Sequence, residues 1–282
     1  MTYSITGANG DTITFDNEDF VLEPGIGGFG IPPTSVRIDD SVRGGGLWRY
    51  TRRLPRNVDL PIIVLGDNQA DVEDKLRRLA RLTQDTLGPT TLTAIRGSGN
   101  LTLELHYAGG AELTYGGETG GPTWARALYS FQAPQPYWES TTVESFTVTT
   151  GETGRGLLPE LTKLKVSSSD ALGIILVNNT ADVPVFPEFE VIGPVENLQV
   201  SLNGEGWSFN TTIVEGDIVV VDHEAATVTG IGGVNRYSIL NASPKFFSLP
   251  PGTSSVLVSG TGANLNTAIT CNYQLRYEVV HG

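Results

Sequence analysis

Three histidines, one cysteine and several close carboxylate pairs are the residues of this 282-residue chain best suited to do chemistry. His106 sits in "LELHY", His223 in "VVDHEA", and His281 is next to last. A protein metal site gathers several His, Cys or carboxylate ligands at short, regular spacing. These histidines are widely separated, and none has a second ligand cluster beside it. Asp222, His223 and Glu224 could chelate a cation, but the same tripeptide reads more simply as the polar turn of a hairpin. Cys271, in "AITCNYQ", alternates with apolar neighbours and reads as a small buried hydrophobe.

Covalent and phosphate chemistry fare no better. There is no strand–serine–helix nucleophile elbow. "GSGN" (97–100) and "SGTGAN" (259–264) are glycine-rich but open no helix, so they are not phosphate loops. Asp39/Asp40 and Asp71/Asp74 fall at a strand end and a helix start, where capping and solubility explain them better than glycoside cleavage. No catalytic residue, metal ligand or cofactor is assigned, and no enzymatic activity is expected.

Two other groupings point to binding. "SVRGGGLWRYTRRLPR" (41–56) interleaves Arg43, Arg49, Arg52, Arg53 and Arg56 with Trp48 and Tyr50. Arginine and aromatic residues are enriched in protein–protein interface cores, which makes this stretch, with "GIGGFGIPP" (25–33), the candidate inter-subunit contact. The bland alternative is a charged strand around a buried tryptophan. A single-stranded nucleic acid groove would use the same residue types, but the chain carries a net charge of −13, which repels a phosphate backbone. The second grouping is Trp207 in "NGEGWSFN", either a platform for a sugar ring or a core residue.

The elements that would position these residues are mainly strands. With 34 Gly, 16 Pro and 39% hydrophobic residues, the chain is rich in turn formers, and Val, Ile, Thr, Tyr and Phe fill most apolar runs. One amphipathic helix is expected over 67–83, "DNQADVEDKLRRLARLT", with Asp67 as N-cap; its basic residues Lys75, Arg77, Arg78 and Arg81 are either a patch for a partner or, more simply, the solvated face. "NLTLELHYAGGAELTY" (100–115) reads as a hairpin turning at "AGGA". After "APQPYWES" (133–140) the texture changes to short strands separated by frequent turns, the rhythm of a β-sandwich. Pro134 and Pro136 end a strand there, and Pro136, Tyr137 and Trp138 form a candidate inter-domain clamp between domains 1–138 and 139–282. The start "MTYSITGANGDTITF" lacks the basic and apolar regions of a secretory signal, and no run of residues is apolar enough for a membrane span. A lone cysteine needs no oxidising compartment, so synthesis in a cytoplasm is expected.

The order of these elements carries a family resemblance. A Gly/Pro-rich early loop, a single helix, and "W..A.YSFQAPQPYWE" with Phe131, Pro136, Tyr137 and Trp138 resemble the distal tail (minor tail) proteins of siphophages. Downstream, "NNTADVPVFPEFEVIG" (Asn178, Pro187, Phe189, Gly193) and "FFSLPPGTSSVLVSG" are similar to the family's second domain. Gln135 replaces a commoner Asp, and Thr253–Ser254 a commoner Asn. The resemblance implies a β-rich ring-forming domain followed by a galectin-like or carbohydrate-module-like sandwich. It also implies a homo-hexamer at the virion tail tip, assembled in the bacterial cytoplasm. The implied partners are the tail tube protein, the tape measure protein, a tail-tip hub or lysin-type protein and receptor-binding proteins, with DNA only passing through. The competing expectation is a carbohydrate- or receptor-binding module acting through the sandwich.

Overall fold

The computed structural model describes residues 1–15, 18–112, 119–149 and 171–280. The chain forms two compact units, Met1–Thr141 with Tyr277–Gly282, and Thr142–Arg276. Tyr277–Gly282 thus belong with the first unit, a placement of the last segment that the sequence alone leaves open.

The first unit is built from β1 (Thr2–Thr6), β2 (Thr12–Phe15), β3 (Phe20–Leu22), β4 (Thr34–Asp40), β5 (Gly46–Arg53) and β6 (Arg56–Leu65), then helix α1 (Gln69–Leu82). It continues with β7 (Thr90–Ile95), β8 (Leu101–Gly110), β9 (Gly120–Gly121), β10 (Trp124–Ala133) and the start of β11 (Trp138–Thr149). Period-two alternation aims one row of each strand inward: Val58, Leu60, Ile62 and Val64 of β6, and Ala125, Ala127, Tyr129, Phe131 and Ala133 of β10, are buried. β6 and β10 pair antiparallel over their whole length. Gly109 and Gly110 (φ 139° and 85°) accompany a slip in the β8–β10 register between Ser130 and Phe131. β8 runs into the expected "AGGA" turn and ends at Gly110, and most of the second arm of that hairpin, from 113, lies outside the described residues.

Helix α1 is capped by Asn68, whose side-chain oxygen accepts from Asp71 N at 3.1 Å, one residue later than expected. Its buried stripe is Val72, Leu79 and Leu82. The basic residues pair locally: Lys75 with Asp19 and Asp71, Arg77 with Asp74, and Arg78 with Asp11. This is the solvated face of an amphipathic helix, tied at two points to the strands beneath it.

The second unit comprises the rest of β11 with β12 (Ala171–Asn179), β13 (Glu188–Ile192), β14 (Glu196–Leu202), β15 (Glu205–Ser208), β16 (Ile218–Asp222), β17 (Thr227–Gly230), β18 (Gly252–Thr261) and β19 (Ala268–Tyr277). One sheet runs β12-β18-β14-β15, and in the other β13 lies between β16 and β19. Inward residues from both, among them Val177, Val200, Val258, Phe189, Val221 and Cys271, form one core. Tyr237–Ile239 form a single 3-10 turn.

Candidate functional site: an exposed arginine-aromatic arm

The residues assigned to an inter-subunit contact lie on the β4–β5 hairpin. Among the described residues these strands pair only with each other, from Thr34↔Arg53 to Asp40↔Gly46. The tip closes through Ser41 N to Gly45 O at 3.0 Å, with Gly44 and Gly45 at φ 85° and 76°, a geometry that suits glycine. An isolated two-stranded ribbon is marginal in water, so its root must be held. Arg53 does this by pairing with Glu278 and bonding Thr34 Oγ1, while Leu54 N bonds Pro33 O at 2.8 Å.

Above that root the ribbon is largely exposed. Trp48 is 61% exposed, Tyr50 43%, Leu47 55% and Ile38 59%. Ile38 stands opposite Trp48 in the register. The reading of a strand around a buried tryptophan is thereby overturned: among the described residues no second layer covers Trp48, whose indole N–H bonds Thr51 Oγ1 at 3.0 Å. Arg49 pairs with Asp39 at 2.6 Å. Arg43 and Arg52 are exposed on the same ribbon. Large apolar side chains gathered outside a core mark an interaction surface.

Arg56, counted with this cluster in the sequence, leaves it. It is buried, and its guanidinium donates to three carbonyl oxygens: Pro136 (2.9 Å), Gly28 (2.7 Å) and Glu278 (2.7 Å). Burial lowers its pKa to about 10, still charged at neutral pH. The loop 25–33 is likewise not a free contact arm over its first part. Gly27 bridges Asp59, and Phe29 packs against Tyr3 and, edge-on, against Trp138 with centroids 5.4 Å apart. Sequence spacing could not reveal this, because the acceptors of Arg56 lie 80, 28 and 222 residues away.

Pro136, Tyr137 and Trp138, the candidate clamp, all lie in the first unit. Trp138 is fully buried in that unit's core. Tyr137 lines a cleft of about 340 Å³ with Thr91, Thr102 and Glu139.

Trp207, the candidate sugar platform, is 1% exposed and offers no face to a ligand. It is core because β15 pairs with β14 and turns this side chain onto Phe189 and Phe209. Its indole N–H donates to His223 Nε2 at 2.8 Å. Asp222, His223 and Glu224 do stand at the β16–β17 hairpin turn, where the Asp222 carboxylate caps Glu224 N and Ala225 N, but the His223 side chain folds inward. The imidazole itself is buried and paired at Nδ1 with Phe247 O, and burial lowers its pKa to about 4. Cys271 is fully buried, its thiol pushed up to about 12. His106 lies near Glu104 on β8, and His281 lies outside the described residues. Among the described residues, no group of three His, Cys, Asp or Glu side chains is placed to hold a metal ion.

Residues 179–277 match the family model described as siphovirus-type tail component, C-terminal domain. The whole chain is similar to SPP1 Dit (gp 19.1), described as a paradigm of the hub adsorption apparatus in Gram-positive infecting phages. The TM-score is 0.67 at 14% identity, covering 98% of this chain and 99% of that one. It is also similar to a chain of the phage P2 baseplate in its activated conformation with Ca, at TM-score 0.56 and 12% identity over 99% of each chain. The search of curated proteins returns no match. Residues 179–277 are thus similar in sequence to the siphovirus-type tail component C-terminal domain, and the chain as a whole shares its fold with SPP1 Dit.

Proposed function

We propose that this chain is the distal tail hub of a long, non-contractile-tailed phage. It works by shape: first units close into a ring of six around the DNA channel. The ring joins the tail tube and tape measure proteins to the tail-tip hub or lysin-type protein. The second units, galectin-like sandwiches, can carry receptor-binding proteins. Assembly takes place in the bacterial cytoplasm and no reaction is catalysed.

The observation that carries this reading is the exposed arm. A ring needs a head-to-tail contact in which two different surfaces of the same chain meet, and the arm supplies one of them. Its charge suits the other. Residues 34–53 hold five arginines against two aspartates, while the rest of the first unit holds seven Lys/Arg against sixteen Asp/Glu. A cationic, aromatic ribbon from one copy is thus complementary to the acidic body of the next.

Analytical ultracentrifugation and negative-stain imaging of the full chain test this. The expected result is concentration-dependent association into six-fold rings, weakened by salt and lost on Trp48→Asp or on deletion of 41–46. A wild-type chain that sediments only as a 30.1 kDa species at high concentration, even beside tail tube protein, overturns it.

A further inference from the structure

The second unit carries a cleft of its own. It has a volume of about 240 Å³, and every residue lining it lies between Val143 and Arg276. Its floor is a cross-strand row, Asp222↔Glu188↔Asn272, on neighbouring β16, β13 and β19. Gln274 follows on β19, and one wall is Phe186, an aromatic ring left 42% exposed. Arg276 is nearly buried at the edge and bonded to Glu224.

We infer that this cleft is a binding site for one neutral sugar ring of a surface saccharide. A sugar hydroxyl is both donor and acceptor, so it is best met by mixed partners: carboxylates that accept, and amides that do both. The floor offers that mixture within three adjacent strands, while Phe186 can cover the apolar C–H face of a pyranose. The cleft is smaller than the roughly 300–1,000 Å³ typical of drug-sized ligands, and so is scaled to a single ring.

Charge excludes the nearest alternatives. Glu188, Asp222 and Glu224 outnumber Arg276, and the Glu188 carboxyl is pushed up by burial and by its neighbours Asp222 and Glu190. An anionic sugar would add to that repulsion. A lysine-rich peptide would suit the carboxylates, but it would leave Asn272 and Phe186 without a role. Sugar recognition therefore rests on this sheet face, not on the buried Trp207.

The test is saturation-transfer NMR on the full chain with glucose, galactose and N-acetylglucosamine at millimolar concentration, with sialic acid and oligolysine as competitors. At least one neutral sugar is expected to bind. Affinity should fall roughly tenfold, about 1.4 kcal/mol, in both Phe186→Ala and Asn272→Ala. It should be retained in Phe186→Tyr and in the arm variant Trp48→Asp. The inference is overturned by no transfer from any neutral sugar, by unchanged binding in Phe186→Ala with its circular dichroism intact, or by tighter binding of sialic acid or oligolysine. It stands apart from the ring: a chain that never associates can still bind sugar, and a ring can form without doing so.

Discussion

Trp207 donates its indole N–H to His223 Nε2 across 2.8 Å, inside the core of the second unit. This bond defines the imidazole, since an accepting Nε2 requires the proton on Nδ1, which then donates to Phe247 O at 2.8 Å. The ring must be neutral in the folded chain, and burial lowers its pKa from 6.5 to about 4. A depressed histidine is neutral when folded but takes up a proton when unfolded as soon as pH drops below the ordinary value. Stability should therefore fall as pH falls from 6.5 to about 4 and then level off for this group. The total is roughly 3 kcal/mol. Urea denaturation at a series of pH values checks this, and His223→Gln should flatten that part of the curve.

The buried guanidinium of Arg56 supports a second prediction. It serves the carbonyls of Gly28, Pro136 and Glu278 together, joining three distant stretches of the first unit. Arg56→Met keeps much of the volume but leaves all three acceptors without this donor. The expected loss is roughly 3–5 kcal/mol in chemical denaturation. Arg56→Lys should fall between, because one ammonium cannot reproduce the planar fork.

Such long-range contacts mark where the sequence stops being informative. The helix was legible because its signal is local: apolar spacing fixed Gln69–Leu82 to within two residues at each end. The alternation in β10 was legible for the same reason, with Ala127, Tyr129 and Phe131 inward and Leu128 outward. Asn68 displaced Asp67 as the cap because adjacent polar residues compete for one position and only backbone geometry decides. The two tryptophans defeated the reading in opposite ways. Trp48 and Trp207 both sit in short Gly-flanked strands, and local pattern does not say which strand will receive a second layer.

Two glycines with similar backbone angles should respond differently to the same change. Gly10 has φ +80° with open space where a Cβ would stand; Gly28 has φ +84°, with Asn57 O only 2.0 Å from that position. Gly10→Ala should cost about 1 kcal/mol, the left-handed backbone penalty alone. Gly28→Ala must also move the β6 backbone, so its melting temperature should drop well beyond that of Gly10→Ala in a thermal scan.

Cys271 offers a readout of folding. Its thiol is fully buried and raised to about 12, so little thiolate exists at neutral pH and no reagent can reach it. A thiol-labelling reagent at pH 8 should modify less than a few per cent of the native chain over the time in which the urea-unfolded chain reacts completely. Rapid labelling of native protein would place Cys271 outside the core.

Trp48→Ala and Trp138→Ala separate assembly from folding. Trp138 is fully enclosed, with Phe29 edge-on to its ring, so truncation leaves a large cavity in the first core. A loss of roughly 3–5 kcal/mol is expected, and association should fail because the subunit is damaged. Trp48 is 61% exposed on the arm, and its removal opens no cavity. The isolated subunit should keep its stability within about 0.5 kcal/mol, while sedimentation shows a weaker or absent oligomer. If both substitutions lowered stability equally, the arm would be packed in the monomer. If Trp48→Ala left assembly intact, the contact would have to lie elsewhere on the first unit.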